Sequence, residues 1–311
     1  MGSNKTKQFF IFSLFMLLAA SQGFAATGQE LFNCTFKDGT SVAESVSGCG
    51  AKDFYDSNFP HARLVASGGH DGGRYLSYNY PNAGYEVGDY FNIPVNRKEI
   101  TVVYWEKYDV GDRVSNNWNC KGTRAYTNAD GGGAFIGAIM SRWGAASWQQ
   151  GVFYSANMTT TSAVTSVIGG SSYCTATGTN TYKCGGDGVY GAAAVNWAGF
   201  GTAWHKIRAY YKMPTTKTSN DGLTTVWIDE KPLYYLTGIG GPPPNYTTVP
   251  WTDYITHVRV HPSDDFFEQA NDKVAFNHGY DDIVIYEGYV PPGTTITPPK
   301  KPSAPSSFSV K

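Results

Sequence analysis

Residues 204–233, WHKIRAYYKMPTTKTSNDGLTTVWIDEKPL, read as a β-hairpin, and the rest of the chain takes its fold class from them. The first arm, 204–213, is aromatic and β-branched with alternating polarity, and the second arm, 223–229, repeats the pattern. Between them Pro214, several threonines and Asn220-Asp221-Gly222 supply turn chemistry. A further turn at Asp229-Glu230-Lys231-Pro232 is expected to end the second arm. Side chains two apart on a strand share a face. Ile207 and Ala209, then Val226 and Ile228, are therefore the expected core set. The opposite faces carry Lys206, Arg208 and Tyr210, then Thr225, Trp227 and Asp229. Such a sheet has a core side and a side rich in cations and rings, which serves either as a plain solvated face or as a working surface.

Working outward, similar strands are expected at 30–36, 74–80, 85–93, 99–110, 135–143, 148–154, 254–261 and 279–289. In 99–110, Val102, Tyr104, Glu106 and Tyr108 share one face and Val103, Trp105, Lys107 and Asp109 the other, and periodicity leaves open which is inward. Residues 111–135 read as a polar loop, and no amphipathic helix of useful length stands out. About ten short strands separated by turns predict an all-β, two-sheet antiparallel jelly-roll sandwich. One domain is expected over 26–290, with a long Gly/Ser/Thr-rich insertion near 155–200 and a Pro/Ser-rich tail at 291–311.

The N-terminus has the layout of a cleaved secretory signal over 1–25. Lys5 and Lys7 precede a 12-residue apolar run, 9–20, short of the roughly 20 residues a membrane span needs. Gly23-Phe24-Ala25 offers small residues for cleavage. The expectation is a secreted or cell-surface protein of bacterial type, with no membrane span in the mature chain. Loss of Lys5 and Lys7 leaves 22 cations against 25 anions, so no global charge favours nucleic acid. Five cysteines then meet an oxidising compartment. The close pairs Cys34–Cys49 and Cys174–Cys184 are the expected bridges, with Cys120 left over, although other connectivities stay open.

The segment YITHVRVH places His257, Arg259 and His261 on one face and Val258 and Val260 on the other. If its strand shares a sheet with the hairpin, these residues join Lys206, Arg208, Tyr210 and Trp227 in one cationic, aromatic surface. That surface suits a carboxylated or sulfated polysaccharide, whose anions pair with Arg and Lys and whose ring faces stack on aromatics. The same groups could perform β-elimination on a uronide, with His257, Tyr210 or Arg259 as catalytic candidates: a cation neutralises the carboxylate and a base removes the proton alpha to it. Glycoside hydrolysis is disfavoured. Glu-x-Asp-x-x-Glu is absent, Glu106 and Asp109 are three apart and face opposite sides, and Asp264, Asp265 and Glu268 read as an acidic loop. No cofactor is required for either reading. Asp281 and Asp282 open the last strand and either bond turn amides or hold a structural Ca²⁺ with carbonyls of an early strand.

The series Tyr104-Trp105-Glu106-Lys107, Lys121-Gly122-Thr123-Arg124, Trp204-His205, Asn220-Asp221-Gly222, Val226-Trp227-Ile228-Asp229 and Tyr280-Asp281-Asp282-Ile283-Val284-Ile285-Tyr286 resembles the concanavalin A-like lectin/glucanase jelly roll over roughly residues 95–290. The Asp-Gly turn feeding a Trp-Ile-Asp strand is similar to laminin-G-like modules and to secreted polysaccharide lyases of that fold. In those lyases a cleft across the concave sheet carries Lys, Arg, His and Tyr. The resemblance implies that Lys121, Lys206, Arg208, His257 and Arg259 hold the matching positions here. Three functions stand beside one another: a polysaccharide-binding protein engaging an acidic glycan on its concave face, a polysaccharide lyase, and a structural or adhesive surface protein.

Overall fold

A computed structural model of the chain describes residues 28–52, 61–80, 90–109, 118–127, 135–144, 147–153, 165–166, 174–178, 181–184, 203–216, 218–219, 221–239, 252, 254–260 and 276–294. The expected signal at 1–25, His261, the acidic loop near 264–268 and the tail beyond residue 294 lie outside the described residues.

In chain order the elements are β1 (Glu30–Cys34), α1 (Val42–Gly48), β2 (Ala62–Val65), β3 (Tyr75–Tyr80), β4 (Phe91–Arg97), β5 (Glu99–Asp109), β6 (Trp118–Tyr126), β7 (Phe135–Gly144) and β8 (Ser147–Phe153). Then come β9 (Thr165–Ser166), β10 (Cys174–Gly178), β11 (Thr181–Cys184), β12 (His205–Lys212), β13 (Gly222–Ile228), β14 (Lys231–Ile239), β15 (Ile255–Val260) and β16 (Phe276–Glu287). A nine-stranded sheet runs β2-β3-β16-β5-β12-β13-β14-β9, with β1 also on β16, and a five-stranded sheet runs β4-β15-β6-β7-β8. All pairings are antiparallel, and the two sheets pack face to face as the expected all-β jelly-roll sandwich. The β10–β11 hairpin, inside the expected insertion, sets Cys174 opposite Cys184.

Alternation builds the core. Ile207, Ala209, Val226 and Ile228 are fully buried in the central cluster, joined by Val102 and Tyr104 of β5, Ile283 and Ile285 of β16, and Phe91, Ile93, Val258 and Val260 from the other sheet. This settles the ambiguity in β5: Val102, Tyr104 and Glu106 point inward, and Trp105 and Lys107 outward. Burying side chains of this size stabilises by about 1.5–3 kcal/mol each.

Two local expectations are corrected, and one short element is added. The polar segment 111–135 contains β6, whose hydrophobic signal is weakened by Asn119, Lys121 and Gly122. The turn after β13 is only Asp229-Glu230, and the chain returns as β14. Both turn residues have positive φ, 50° and 62°, as a tight two-residue hairpin demands. The Asp229 carboxylate offsets that strain by accepting from the Lys206 amide (3.0 Å) and bonding His205 Nδ1 (2.7 Å). Pro232 is tolerated because the β13–β14 ladder slips beside it, between Val226 and Trp227. Finally, 42–48 is a short helix. Ser41 caps it by accepting from the Glu44 amide (3.1 Å), and the Glu44 carboxylate reaches back to the Thr40 amide (2.8 Å). The expected Cys34–Cys49 disulfide ties this helix to β1. Closing a loop of this length contributes about 3 kcal/mol in the chain-entropy account.

Candidate functional site

The outward face of the five-stranded sheet gathers one set of the expected site residues. The β15–β4 ladder has an irregularity between Ile255 and His257. That slip lets Ile255, Val258 and Val260 all enter the core, which turns His257 and Arg259 to the opposite face. Across the ladder, His257 pairs with Tyr126, and Arg259 pairs with Arg124 on one side and Asn92 on the other.

These side chains form a built cluster. The Arg259 guanidinium lies between two rings, its carbon 4.0 Å from the centroid of Tyr90 and 4.6 Å from that of Tyr126. Its Nε donates to Asn92 Oδ1 at 2.9 Å, so the plane is held and the terminal nitrogens remain for other partners. Among the described residues no carboxylate pairs with Arg259. Arg124 Nη1 donates to the Tyr126 hydroxyl at 3.3 Å. The His257 ring stacks on Tyr126 at 4.8 Å and 7°. The face is reached past Tyr90, Arg124 and Thr256, which are half-buried, while His257 and Arg259 keep only 6% and 9% exposure.

His257 has a defined protonation state. The Thr256 hydroxyl donates to the Tyr126 carbonyl (3.2 Å) and lies 3.0 Å from His257 Nδ1. When that hydroxyl donates to the carbonyl, it accepts from Nδ1–H and Nε2 carries the lone pair. That Nε2 is buried and meets no hydrogen-bond partner. Burial, and secondly the charge of Arg259, push the imidazole pKa down to about 4. At neutral pH the ring is an uncharged base beside a fixed cation.

The second set of expected residues lies elsewhere, which corrects the single surface anticipated above. Lys206, Arg208, Tyr210 and Trp227 belong to β12 and β13 of the nine-stranded sheet, and His257 and Arg259 to the other sheet. The ladder-opposite face of that hairpin is covered by residues 289–293. Arg208 is fully buried. Its Nε and Nη2 bond both oxygens of Glu230 at 3.1 and 3.0 Å, and Nη1 donates to the Val290 carbonyl at 3.2 Å. Lys206 Nζ meets the same carboxylate at 2.7 Å, and the Gly293 amide donates to it at 3.2 Å. Although desolvation opposes it, the contacts from Arg208 and Lys206 hold the Glu230 carboxyl near 2. Tyr210 donates to Glu99 (2.8 Å) and packs with Trp227 and Tyr289. Lys121 lies on β6, in the same sheet as His257, opposite Met140.

Asp281 and Asp282 meet a residue the sequence reading passed over. His70 Nδ1 is 3.1 Å from Asp281 Oδ2 and its Nε2 is 3.5 Å from Asp282 Oδ2, with the ring stacked on Trp105. Ligand atoms of the three lie within 4.8 Å of one another, a span one ion could bridge. Calcium, however, takes six to eight oxygens. Here one donor is an imidazole, and both Asp281 oxygens already accept bonds, from the His70 amide (2.9 Å) and the Asp282 amide (3.0 Å). By themselves these three side chains do not complete a calcium cage. Burial raises both carboxyls, and Asp281 adds its charge to the rise at Asp282. A second pair that sequence reading missed, Glu106 and His278, is wholly interior at 2.7 Å. Arg124 and Tyr126 were also missed. The signal that could have found them is their spacing of two within KGTRAY, the alternation of a strand.

No family model matches the chain, and no curated protein matches it. Among solved structures it is similar to an alginate lyase from a Chlorella virus, with 14% identity, TM-score 0.46, 78% of this chain and 95% of that one covered. It is also similar to a carbohydrate esterase of the Shiga toxin-encoding bacteriophage phi24B, with 13% identity, TM-score 0.44, and 84% and 99% covered. The botulinum neurotoxin serotype D/C binding domain gives 9% identity and TM-score 0.41, and the match spans 84% of this chain and about half (49%) of that one. A lyase, an esterase and a toxin binding domain have three different activities, and at these identities and scores the likeness assigns none of them.

Proposed function

We propose that the protein binds a carboxylated polysaccharide along the outward face of the five-stranded sheet. The observation that carries this reading is Arg259: a guanidinium fixed between two aromatic rings by Asn92, with no carboxylate partner among the described residues. A guanidinium recognises a carboxylate with paired N–H donors, and sugar faces stack on rings such as Tyr90. Arg124, opposite Arg259 in the ladder, extends the positive strip along the direction a polymer would run. Export through the leader at 1–25 belongs to the same reading, since such polymers lie outside the cell.

One observation favours a second reading on the same face, β-elimination. His257 is neutral at physiological pH and offers a buried, unpartnered Nε2 next to Arg259. In that reaction Arg259 neutralises the uronate carboxylate and His257 Nε2 takes the proton alpha to it. The electron pair then forms the C4–C5 double bond as the C4–oxygen bond breaks, and the leaving oxygen takes a proton, for which the Tyr126 hydroxyl stands on the same face. No oxidant or cofactor enters the balance.

Incubation with alginate, pectate and glycosaminoglycans separates the readings. Retention on one of these polymers that disappears in high salt supports binding. Appearance of the ultraviolet absorbance of unsaturated uronides adds elimination. Absence of both signals on all three leaves the sandwich as a structural or adhesive scaffold and defeats the proposal.

A further inference from the structure

The nine-stranded sheet carries a cavity of about 310 Å³ on its outward face, away from the proposed polymer face. Its floor is one row across three strands: Ser77 on β3, Gly279 on β16 and Lys107 on β5 are in register, with Arg63 of β2 opposite Ser77. Arg63 and Lys107 are thus three strand spacings apart, about 14 Å between backbones, and stand on opposite walls of a depression floored by the two smallest residues. A Cβ on Gly279 would be tight, at 3.0 Å from Lys107 Cγ and 3.1 Å from a Trp204 ring carbon.

Lys107 is posed rather than loose. Its Nζ lies 4.3 Å from the centroid of Tyr75 and 4.6 Å from that of Trp204, and it donates to the Gly68 carbonyl at 3.3 Å. Trp204 is fixed in turn by its own donation to Gly68 (2.9 Å) and its edge contact with Tyr75. Among the described residues no carboxylate pairs with Arg63 or Lys107. At the end of the cavity Asn277 Oδ1 is buried and meets no hydrogen-bond partner. A buried acceptor without a donor is costly, so its placement beside two cations is informative. The lining asks for one molecule that has an anionic group and an apolar ring face for Tyr75. We propose that this cavity is a second site, independent of the polymer face, for a single carboxylated sugar unit, free or at a chain end. The volume is at the low end for small-molecule sites, which matches one ring rather than an internal stretch of polymer.

The test titrates the full chain with D-galacturonate, followed by calorimetry and by tryptophan fluorescence through Trp204. Saturable binding is expected for the uronate and none for D-galactose, which lacks the carboxylate. Lys107→Met keeps the stem against the rings and removes the charge, and should weaken binding at least 10-fold. Arg63→Gln, at an exposed position where folding is not at risk, should weaken it several-fold. Arg259→Ala should leave the Lys107-dependent part of the signal in place. In the Arg259→Ala background, galacturonate oligomers of increasing length should bind with constant affinity per chain, because only an end unit enters. The proposal is overturned if the wild-type chain shows no saturable uronate binding, whatever its behaviour toward polymers. It is equally overturned if both charge variants bind as wild type, or if Arg259→Ala abolishes the signal, which would assign it to the other sheet.

Discussion

Arg208 and Arg259 point away from the same core, one from each sheet, and their surroundings could hardly differ more. Arg208 is sealed beneath residues 289–293 and neutralised by both oxygens of Glu230. Arg259 is stacked between rings, anchored by an amide, and without a carboxylate among the described residues. A strand pattern says only that a cation leaves the core. Whether it becomes glue or a site depends on what the chain brings to meet it: a hairpin turn that lifts Glu230 in one case, neighbouring rings and a neutral histidine in the other.

The comparison is open to experiment, starting from the largest effect. Arg208→Met should lower stability by roughly 3 kcal/mol, because it leaves Glu230 without its main partner, as read from the urea midpoint. Adding Glu230→Gln should restore part of that loss, and salt-sensitive retention of the folded protein on polymer should not change. Arg259→Ala should do the reverse. Retention should fall about 30-fold, near 2 kcal/mol, with stability altered by less than about 1 kcal/mol. Reversed outcomes for the two variants would exchange the roles of the two faces.

Acid should separate the faces by pH window. The folded His257 pKa is about 4 against 6.5 for the free group, so the unfolded chain binds the extra proton first. Its contribution is complete above about 6.5 and is lost as pH falls toward 4, with a slope approaching about 1.4 kcal/mol per pH unit. Glu230, at about 2 against 4.5, contributes fully above 4.5 and loses that contribution as pH falls toward 2. His257→Asn should flatten the upper window only, and Glu230→Gln the lower only, in urea titrations at stepped pH. If elimination occurs, its low-pH limb should follow the folded His257 value rather than 6.5. The smallest effect is expected where His70 meets Asp281 and Asp282. Calcium followed by a chelator should move the unfolding free energy by less than about 0.5 kcal/mol, since His70 already occupies the Asp281 carboxylate. A calcium-dependent rise in melting temperature would reverse that assignment.

Much of the fold was legible in the chain. The arms around Asn220-Asp221-Gly222, the strands expected at 99–110 and 279–289 and found at 99–109 and 276–287, and the Cys34–Cys49 bridge follow from alternation, turn chemistry and cysteine spacing. Where the pattern was diluted, it failed. β6 hid behind Asn119, Lys121 and Gly122, and with it Arg124 and Tyr126 were lost from the candidate site. β14 hid behind Pro232, which only a slipped ladder admits. His70 gave no periodic signal because it sits in a glycine-rich turn, 211 residues from the carboxylate it contacts.

By itself the sequence determined the all-β class, the inward set of the hairpin arms, and the outward direction of Lys206, Arg208, His257 and Arg259. These are consequences of a local period of two, which the backbone enforces residue by residue. Only the tertiary structure decided that β12 and β15 lie in different sheets, that Glu230 reaches Arg208, and that Tyr90, Asn92 and Tyr126 frame Arg259. Such pairings join residues as far as 167 positions apart, and they are selected by which strands bury their apolar faces together, a property of the whole sandwich that no single stretch encodes.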